Sequence, residues 1–337
     1  MKFRYDWSAG ATALLLVSCS AGNTPHTLPE HPTETVDIAN EATSDHLELS
    51  EVPITSGALG GLYIDAGEDT PVILIVPGSG PTDLNGNNPL GVRAQPLKLL
   101  AESLSANNIS TVRVDKRGMY SSRGAGDPNQ VSVDLYTEDY RGWIDVVKSR
   151  TGAKCIYLMG HSEGSIMVSA AAEGRRDICG LILVSGPGRP LGTVLRAQLE
   201  ANPANAPILD QAFGAIASLE AGEVVETSSL HPGLKGLFAE PIQGYLMSVL
   251  TVDPAVSAQR ANQRTLVIQG ETDVQTSVED AQLLAHATGT AAAILPGVNH
   301  VLKVATTEET QTSYANPDLP IAESVVEAIV SFIRDGN

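Results

Sequence analysis

The sequence contains 337 residues, of which 42% are hydrophobic, so it is long enough to bury a large core in one layered α/β domain. The formal net charge is −18, from 21 basic and 39 acidic side chains. This charge repels nucleic-acid phosphates and anionic lipid surfaces alike, so nucleic acid is not expected as a partner. We interpret the acidity as a source of solubility.

The first 19 residues have the pattern of a secretory signal. Lys2 and Arg4 precede an apolar run from Ala9 to Val17, which is too short to span a bilayer. Residues 16–19 (LVSC) resemble a bacterial lipobox, in which Cys19 would be lipidated and become the mature N-terminus. The resemblance predicts a cell-envelope protein, on the periplasmic side or at the outer membrane, that touches membrane only through this lipid anchor. The alternative is an ordinary signal peptide with a stray cysteine, which would leave the protein secreted.

A flexible tether and one folded domain are predicted after the signal. Residues 20–46 are rich in Pro, Thr, Glu and Asn and have little periodicity. Residues 47–337 instead alternate short apolar runs with helical periodicity. Strands are predicted at Leu47–Ile54, Gly61–Ile64, Val72–Val76, Thr111–Val114, Ile156–Met159, Leu181–Ser185, Thr265–Gln269 and Ala291–Leu295. Helices are predicted at Gln95–Ala106, Glu138–Ser149, Ser165–Glu173, Ser277–Ala287 and Ala322–Ile333.

This alternation predicts an α/β fold with a mostly parallel central sheet and helices on both faces. The interval of about 187–264 breaks the pattern, because it contains helical segments and no clear strand. Those segments are Thr193–Ala201, Ile208–Leu219 and Leu237–Leu250. We interpret the interval as a helical cap inserted over the carboxyl ends of the strands, the alternative being extra helices packed on the outside.

The segment GHSEG at 160–164 is the candidate nucleophile turn. It lies between the predicted strand Ile156–Met159 and the predicted helix Ser165–Glu173. A strand that turns abruptly into a helix leaves no room for side chains beside the tip, so glycine is needed at both flanks while Ser162 is exposed. The context, more than the bare motif, indicates a serine hydrolase.

A serine hydroxyl needs a histidine base and a carboxylate that orients the histidine. Of the seven histidines, His300 lies in the loop after the last predicted strand, where active sites of parallel sheets collect. Asp273 occupies the equivalent loop one strand and helix earlier, with Glu271 as a rival. The resulting chain order is serine, aspartate, histidine.

The oxyanion of an acyl-transfer intermediate needs backbone N–H donors. One donor is expected at Glu163, at the start of the helix behind the nucleophile. The second is expected in residues 77–80 (PGSG), directly after a strand, with the Ser79 N–H preferred and Gly80 next. The alternative is a glycine-rich turn that binds nothing.

The remaining two cysteines, Cys155 and Cys179, each lie just before a predicted strand. Parallel neighbouring strands would bring these positions close together, so a disulfide is possible in an oxidising compartment. The alternative is two inert buried thiols.

Five segments carry a resemblance to a known family, and they cover roughly residues 58–337 in the family's order. They are PGSGPTDLNGNNP at 77–89, VDKRGMYSS at 114–122, GHSEG at 160–164, QGETD at 269–273 and GVNH at 297–300. They resemble bacterial carboxylesterases of the serine aminopeptidase-like branch of the α/β-hydrolase superfamily. The resemblance implies the α/β-hydrolase fold and the triad Ser162, Asp273 and His300.

The resemblance also implies structural roles beside the oxyanion hole. Asp115, Arg117 and Gly118 would shape one loop, and residues 83 and 85–87 (Asp, Asn, Gly, Asn) would brace the next. Pro77 replaces the histidine that many relatives have in an HG motif, so no role of that histidine carries over.

The predicted function is hydrolysis of small-molecule esters with short or medium acyl chains, through an acyl-serine intermediate. No cofactor and no metal are expected, because the histidines lack metal-ligand spacing and GSG at 78–80 lacks a nucleotide-binding context. One alternative is a serine exopeptidase, with Glu200, Asp210 or Glu240 gripping a free amine. Another is a binding lipoprotein on a retired hydrolase scaffold. The oligomeric state stays open.

Overall fold

The computed structural model describes residues 50–336. The predicted signal peptide, the lipidation site Cys19 and the tether of residues 20–46 lie outside the described residues, as do the first three residues of the first predicted strand. Within residues 50–336, no helix combines the length and the apolar character needed to cross a membrane.

An eight-stranded sheet forms the centre of the domain, in the order β1-β2-β4-β3-β5-β6-β7-β8. Its strands are β1 Glu51–Ser56, β2 Leu59–Ile64, β3 Val72–Val76, β4 Ser110–Val114, β5 Ile156–His161, β6 Ile178–Val184, β7 Thr265–Gly270 and β8 Ala292–Leu295. β2 pairs antiparallel with β1 and β4, and every other neighbouring pair is parallel. The predicted mostly parallel sheet is confirmed.

Helices cover both faces of the sheet, as predicted. The α-helices are α1 Pro96–Ser105, α2 Val133–Thr151, α3 Gly164–Ala172, α4 Leu191–Ala201, α5 Leu209–Glu220, α6 Gln243–Leu250, α7 Pro254–Ala261, α8 Val278–Thr288, α9 Thr310–Ala315 and α10 Glu323–Arg334. Side chains alternate along β3, so that Leu74 joins the core under α2, α3, α7 and α8. Ile73 and Ile75 join the core under α1 and α10. This period-2 pattern is what a strand buried on both faces produces.

Four helices depart from the sequence-based expectation: α2 and α6 begin at other residues than predicted, α6 at Gln243 and not at Leu237, and α7 and α9 were not predicted. α2 begins five residues earlier than predicted, because the Ser132 side chain accepts a hydrogen bond from the Leu135 N–H (3.1 Å) and caps the helix. α7 is short and rich in small residues, and Ala258 and Ala261 pack into the core of the main body.

The inserted interval has a hydrophobic core of its own. Side chains from α4, α5 and α6 surround Phe238, and the cluster is separate from the two that flank the sheet. α7, the last helix of the interval, instead contacts α3 and α8 of the main body. The separate core therefore belongs to the part of the interval before α7.

A disulfide joins Cys155 to Cys179, with 5.3 Å between the two Cα atoms. Cys155 directly precedes β5, and Cys179 is the second residue of the parallel neighbour β6. The bond therefore links the amino ends of two central strands, at the opposite edge of the sheet from the carboxyl ends.

Candidate active site

The chain reverses at Ser162, between β5 and α3. Ser162 has a φ of 55°, in the left-handed region that is costly for any residue other than glycine. A Cβ on Gly160 would lie 2.3 Å from the Gly164 carbonyl oxygen, and one on Gly164 would lie 2.6 Å from the Val76 carbonyl oxygen. Both flanks of the turn must therefore be glycine, which is the constraint expected from the GHSEG motif.

Asp273 and His300 meet at the same edge of the sheet, after β7 and β8. The Nδ1 atom of His300 lies 2.8 Å from Oδ2 of Asp273, and both side chains are buried. The rival acid, Glu271, is exposed and accepts only a long hydrogen bond from the Gly297 N–H (3.4 Å). Asp273 is therefore the carboxylate that orients His300.

The Asp273 carboxylate is held in its ionised form. Burial opposes the charge, but His300 and the N–H groups of Gln275 (2.7 Å) and Thr276 (3.1 Å) outweigh it, so the pKa of Asp273 lies below its ordinary value. The Gln269 amide and the Thr276 hydroxyl also donate to Oδ2, at 3.1 and 3.0 Å. An ionised carboxylate accepts from Nδ1–H, which leaves Nε2 of His300 as the basic nitrogen.

His161 holds residue 300 against the nucleophile turn. Its Nε2 donates to the His300 carbonyl oxygen at 2.8 Å, and the centroids of the two rings are 4.9 Å apart. Burial, together with the neighbouring His300, lowers the pKa of His161 to about 4. His161 is therefore neutral at ordinary pH, and it bonds the residue that contains the predicted base while standing next to Ser162.

The Ser162 hydroxyl makes no hydrogen bond to any group within residues 50–336, so the expected hydrogen bond between Ser162 and His300 is not formed in this structure. Such contacts commonly tighten only when substrate binds. The bond between His161 and the His300 carbonyl oxygen nevertheless holds the residue before Ser162 against His300.

The loop after β3 lies directly against the serine. A Cβ on Gly78 would be 3.0 Å from the Ser162 Cβ and 3.5 Å from its Oγ. Across the described residues, the N–H groups of Ser79, Gly80 and Glu163 donate to no protein acceptor. The structure thus places Gly78 against the serine, and the three N–H groups that the sequence predicts as oxyanion donors have no acceptor within residues 50–336.

Carboxylates brace this loop from below. Asp83 accepts from the N–H groups of Asn85 (2.9 Å) and Asn87 (2.8 Å), and Asp115 accepts from the Leu84 N–H at 2.8 Å. Arg117 pairs with Asp139 on α2, with a bond from Nε at 2.9 Å. These contacts agree with the structural roles that the family resemblance implies.

Two further polar side chains at the site were not singled out from the sequence. The Lys116 ammonium donates to the carbonyl oxygens of Gly78 (2.6 Å) and Gly80. The Tyr245 hydroxyl, on α6 of the inserted interval, donates to Glu163 Oε1 at 2.6 Å. Burial raises the pKa of Glu163 and lowers that of Lys116 to about 8. Only Lys116 had a sequence signal, since it lies inside the VDKRG segment.

No cluster of three or more His, Cys, Asp or Glu side chains suited to a metal ion occurs in the described part of the chain. A surface pocket of about 370 Å³ lies on the inserted interval, between Asp210 and Leu230, and none of the candidate catalytic residues lines it.

Comparison with known proteins identifies the class. The chain has the fold of the α/β-hydrolases. The family described as "Serine aminopeptidase, S33" matches residues 91–303, more than half of the chain, and the protein belongs to this family. The matched range contains Ser162, Asp273 and His300.

Among curated proteins, Esterase EstD of Thermotoga maritima is 27% identical over 252 residues. The match covers 71% of this chain but 56% of the relative, so the chain spans little more than half of that protein's length.

Solved structures agree on the fold. The α/β hydrolase GrgF from Penicillium sp. sh18 is 21% identical with a TM-score of 0.56, over 86% of this chain and 99% of that one. The Pyrococcus furiosus esterase Pf2001 is 17% identical with a TM-score of 0.53, over 86% and 90%. Est1E from Butyrivibrio proteoclasticus is 16% identical with a TM-score of 0.52, over 85% and 98%.

The low pKa of His161 predicts a pH-dependent stability. An unfolded histidine binds a proton below about pH 6.5, whereas folded His161 stays neutral down to about pH 4. The unfolded state therefore binds more protons in this window, and stability falls as the pH drops through it. We expect His161 to contribute about 3 kcal/mol of this loss between pH 7 and 4.

Urea unfolding at pH 7, 6, 5 and 4 measures the effect, with His161→Gln as the comparison. The free energy of unfolding of the variant should depend less steeply on pH, because the contribution of His161 is removed. This holds whatever the absolute stability of the variant. Equal slopes in the two proteins would show that His161 is not held neutral. His286→Gln, at an exposed position on α8, is the matched control and should keep the wild-type slope.

Proposed function

We propose that this protein is a serine carboxylesterase that hydrolyses esters of short or medium acyl chains through an acyl-serine intermediate. One observation carries the proposal. Ser162 stands at a strained turn beside unpaired N–H groups, at the sheet edge where Asp273 orients His300 by a bond of 2.8 Å. Family membership and the similarity to Esterase EstD support the same chemistry.

The geometry suits the following sequence of steps. His300 Nε2 takes the proton of Ser162 as Oγ attacks the ester carbonyl carbon. The N–H groups of Glu163 and Ser79 stabilise the resulting alkoxide. Asp273 remains ionised and stabilises the imidazolium, which then donates its proton to the leaving alcohol. Water, deprotonated by the same imidazole, then attacks the acyl carbonyl carbon, and the imidazolium returns the proton to Ser162 Oγ as the acid leaves.

The exopeptidase alternative lacks its proposed amine-binding groups. Glu200, Asp210 and Glu240 are all exposed, whereas a group that grips a substrate ammonium gains strength from burial. Ester substrates need no such group, so ester hydrolysis is better supported than exopeptidase activity. The binding-lipoprotein alternative gives no reason for unpaired N–H groups beside a strained serine.

The preference for short or medium acyl chains rests on composition. Only 4% of the residues are aromatic, and the inserted interval is rich in Ala, Gln and Asn, which offers little material for a long acyl tunnel.

Ser162→Ala tests the nucleophile. Hydrolysis of p-nitrophenyl butyrate should fall by roughly 10⁵-fold or more, because the substitution removes the oxygen that forms the acyl intermediate. The fold should persist by circular dichroism. Labelling by a fluorophosphonate probe should disappear at the same time. Turnover that survives in a clean preparation would refute the assignment, and faster cleavage of alanine or proline p-nitroanilide by the wild type would favour the exopeptidase.

Asp273→Asn tests the orienting carboxylate, with Glu271→Gln as the matched control in the same loop. Asparagine cannot accept from Nδ1–H as a charged group, so kcat should fall by roughly 10⁴-fold. Glu271 is exposed and lacks contact with His300, so its variant should retain kcat within about twofold. Equal losses in the two variants would contradict the choice of Asp273.

We further propose that the protein is a lipoprotein of the bacterial cell envelope, anchored through Cys19. The signal pattern of residues 1–19 supports this, and the disulfide between Cys155 and Cys179 fits an oxidising compartment.

Cys19→Ala tests the anchor in a bacterial host. The wild-type chain should fractionate with membranes and carry a diacylated N-terminal peptide by mass spectrometry. The variant should appear in the soluble fraction with unchanged activity per molecule. The same distribution for both chains would exclude the anchor.

A further inference from the structure

Lys116 is a buried cation that the proposed reaction does not use. Its residue is 5% exposed, and its ammonium lies between the carbonyl oxygens of Gly78 and Gly80. Lys116 follows β4 by two residues, and the Gly78–Gly80 loop follows β3 in the same way. Because these two strands are parallel neighbours, the lysine reaches the loop from directly beside it.

The bond to Gly78 fixes the direction of a proposed oxyanion donor. The Gly78 carbonyl and the Ser79 N–H belong to one peptide group, and in a trans peptide they point in opposite directions. A cation on the carbonyl oxygen therefore turns the Ser79 N–H away from Lys116. On the next peptide, the Thr82 hydroxyl donates to the Ser79 carbonyl at 2.8 Å, and the same geometry directs the Gly80 N–H.

A loop that serves as an oxyanion hole has to be held in this manner. Its N–H groups must stay unpaired for the substrate, so the protein can restrain the loop only through its carbonyls. The glycines at 78 and 80 have no side chain with which to brace themselves. A cation that bonds carbonyls on both sides of Ser79 supplies the restraint without occupying the donors.

The charge of Lys116 also offsets that of Glu163. Glu163 contributes an oxyanion N–H, yet its own carboxylate is buried next to the site, where a negative charge opposes an alkoxide. Within residues 50–336, Lys116 forms no salt bridge to a carboxylate within 4 Å. Its attraction to Glu163 acts over a longer distance while the carbonyls hold the ammonium in place.

We propose that Lys116 is a positioning residue of the oxyanion hole, which holds the Gly78–Gly80 loop by its carbonyls so that the Ser79 N–H is directed at the reacting oxygen. The inference rests on the proposed esterase function and extends it to a residue that does not touch the substrate.

Lys116→Met tests this, because methionine keeps the length and removes both hydrogen bonds and the charge. With p-nitrophenyl butyrate, kcat per active site should fall about 100-fold, the loss typical of one missing oxyanion donor, while KM changes by less than about threefold. Active sites are counted by fluorophosphonate titration. The Ki of a trifluoromethyl ketone, whose adduct with the serine carries an oxyanion, should rise by about the same factor as kcat falls.

Lys303→Met is the matched control. Lys303 is also a buried lysine (0% exposed) that donates to a backbone carbonyl, that of Asn316 at 2.7 Å, outside the oxyanion loop. This variant should lose thermal stability but retain kcat per active site. If Lys116→Met does not fold, Lys116→Gln replaces it. Glutamine keeps a polar group but is uncharged and shorter than lysine, and the variant should show the same lowered kcat with a nearly unchanged KM.

The outcomes separate the two proposals. A wild-type protein that is no faster than Ser162→Ala would refute the esterase function, and this inference with it. If the wild-type protein is active, two results would overturn this inference alone. Lys116→Met could keep the wild-type kcat and Ki, or its activity could fall only because fewer active sites are titrated. Equal losses of kcat in the Lys116 and Lys303 variants would also overturn it, by assigning the effect to any buried cation.

Discussion

The close approach of α3 to the end of β3 is the contact on which the site depends. A Cβ on Gly164 would lie 2.6 Å from the Val76 carbonyl oxygen, so the first turn of the helix rests directly on the last residue of the strand. That contact places the Glu163 N–H beside the loop that begins at Pro77. An oxyanion hole built from two distant segments needs this approach, and only glycine permits it.

Two buried ionisable groups beside His300 each have one stable charge state at ordinary pH. Asp273 is kept ionised by its hydrogen bonds and by His300, whereas His161 is kept neutral by burial. Two imidazoles 4.9 Å apart would repel each other if both were charged. Because His161 is neutral at ordinary pH, His300 can accept a proton without a second cation beside it, and the nearby Asp273 stabilises that proton.

The sequence was sufficient to predict the central strands and the candidate site residues that come directly after them in the chain. All five residues of β3 are buried, and such short apolar runs mark central strands well. Ser162, Asp273 and His300 each follow a strand at its carboxyl end. The order of the predicted elements was therefore enough to place them at one edge of the sheet. The positions of α7 and of the start of α2 were harder, since small residues and a single serine cap give a weak periodic signal.

Groups whose role depends on backbone partners could not be predicted in this way. A lysine after a strand ordinarily lies in solvent, and Lys116 is buried with its ammonium donating hydrogen bonds to two carbonyl oxygens of another loop. No sequence pattern shows which backbone carbonyl oxygen will accept a hydrogen bond from a distant side chain. The same holds for His161, whose partner is the backbone oxygen of His300 and not its ring.

The bond between Tyr245 and Glu163 joins the inserted interval to the nucleophile turn. Tyr245 also packs edge-on against Tyr136 of α2, with ring centroids 5.7 Å apart, so the interval is tied to the main body by both an aromatic contact and a hydrogen bond. Glu163 has its backbone N–H in the proposed oxyanion site, and its side chain bonds to the interval. A shift of α6 would therefore act first on this proposed donor and only afterwards on the proposed triad, whose residues follow the carboxyl ends of buried strands. The interval has a hydrophobic core of its own, so the Tyr245 hydroxyl couples the packing of that core directly to the residue that follows Ser162.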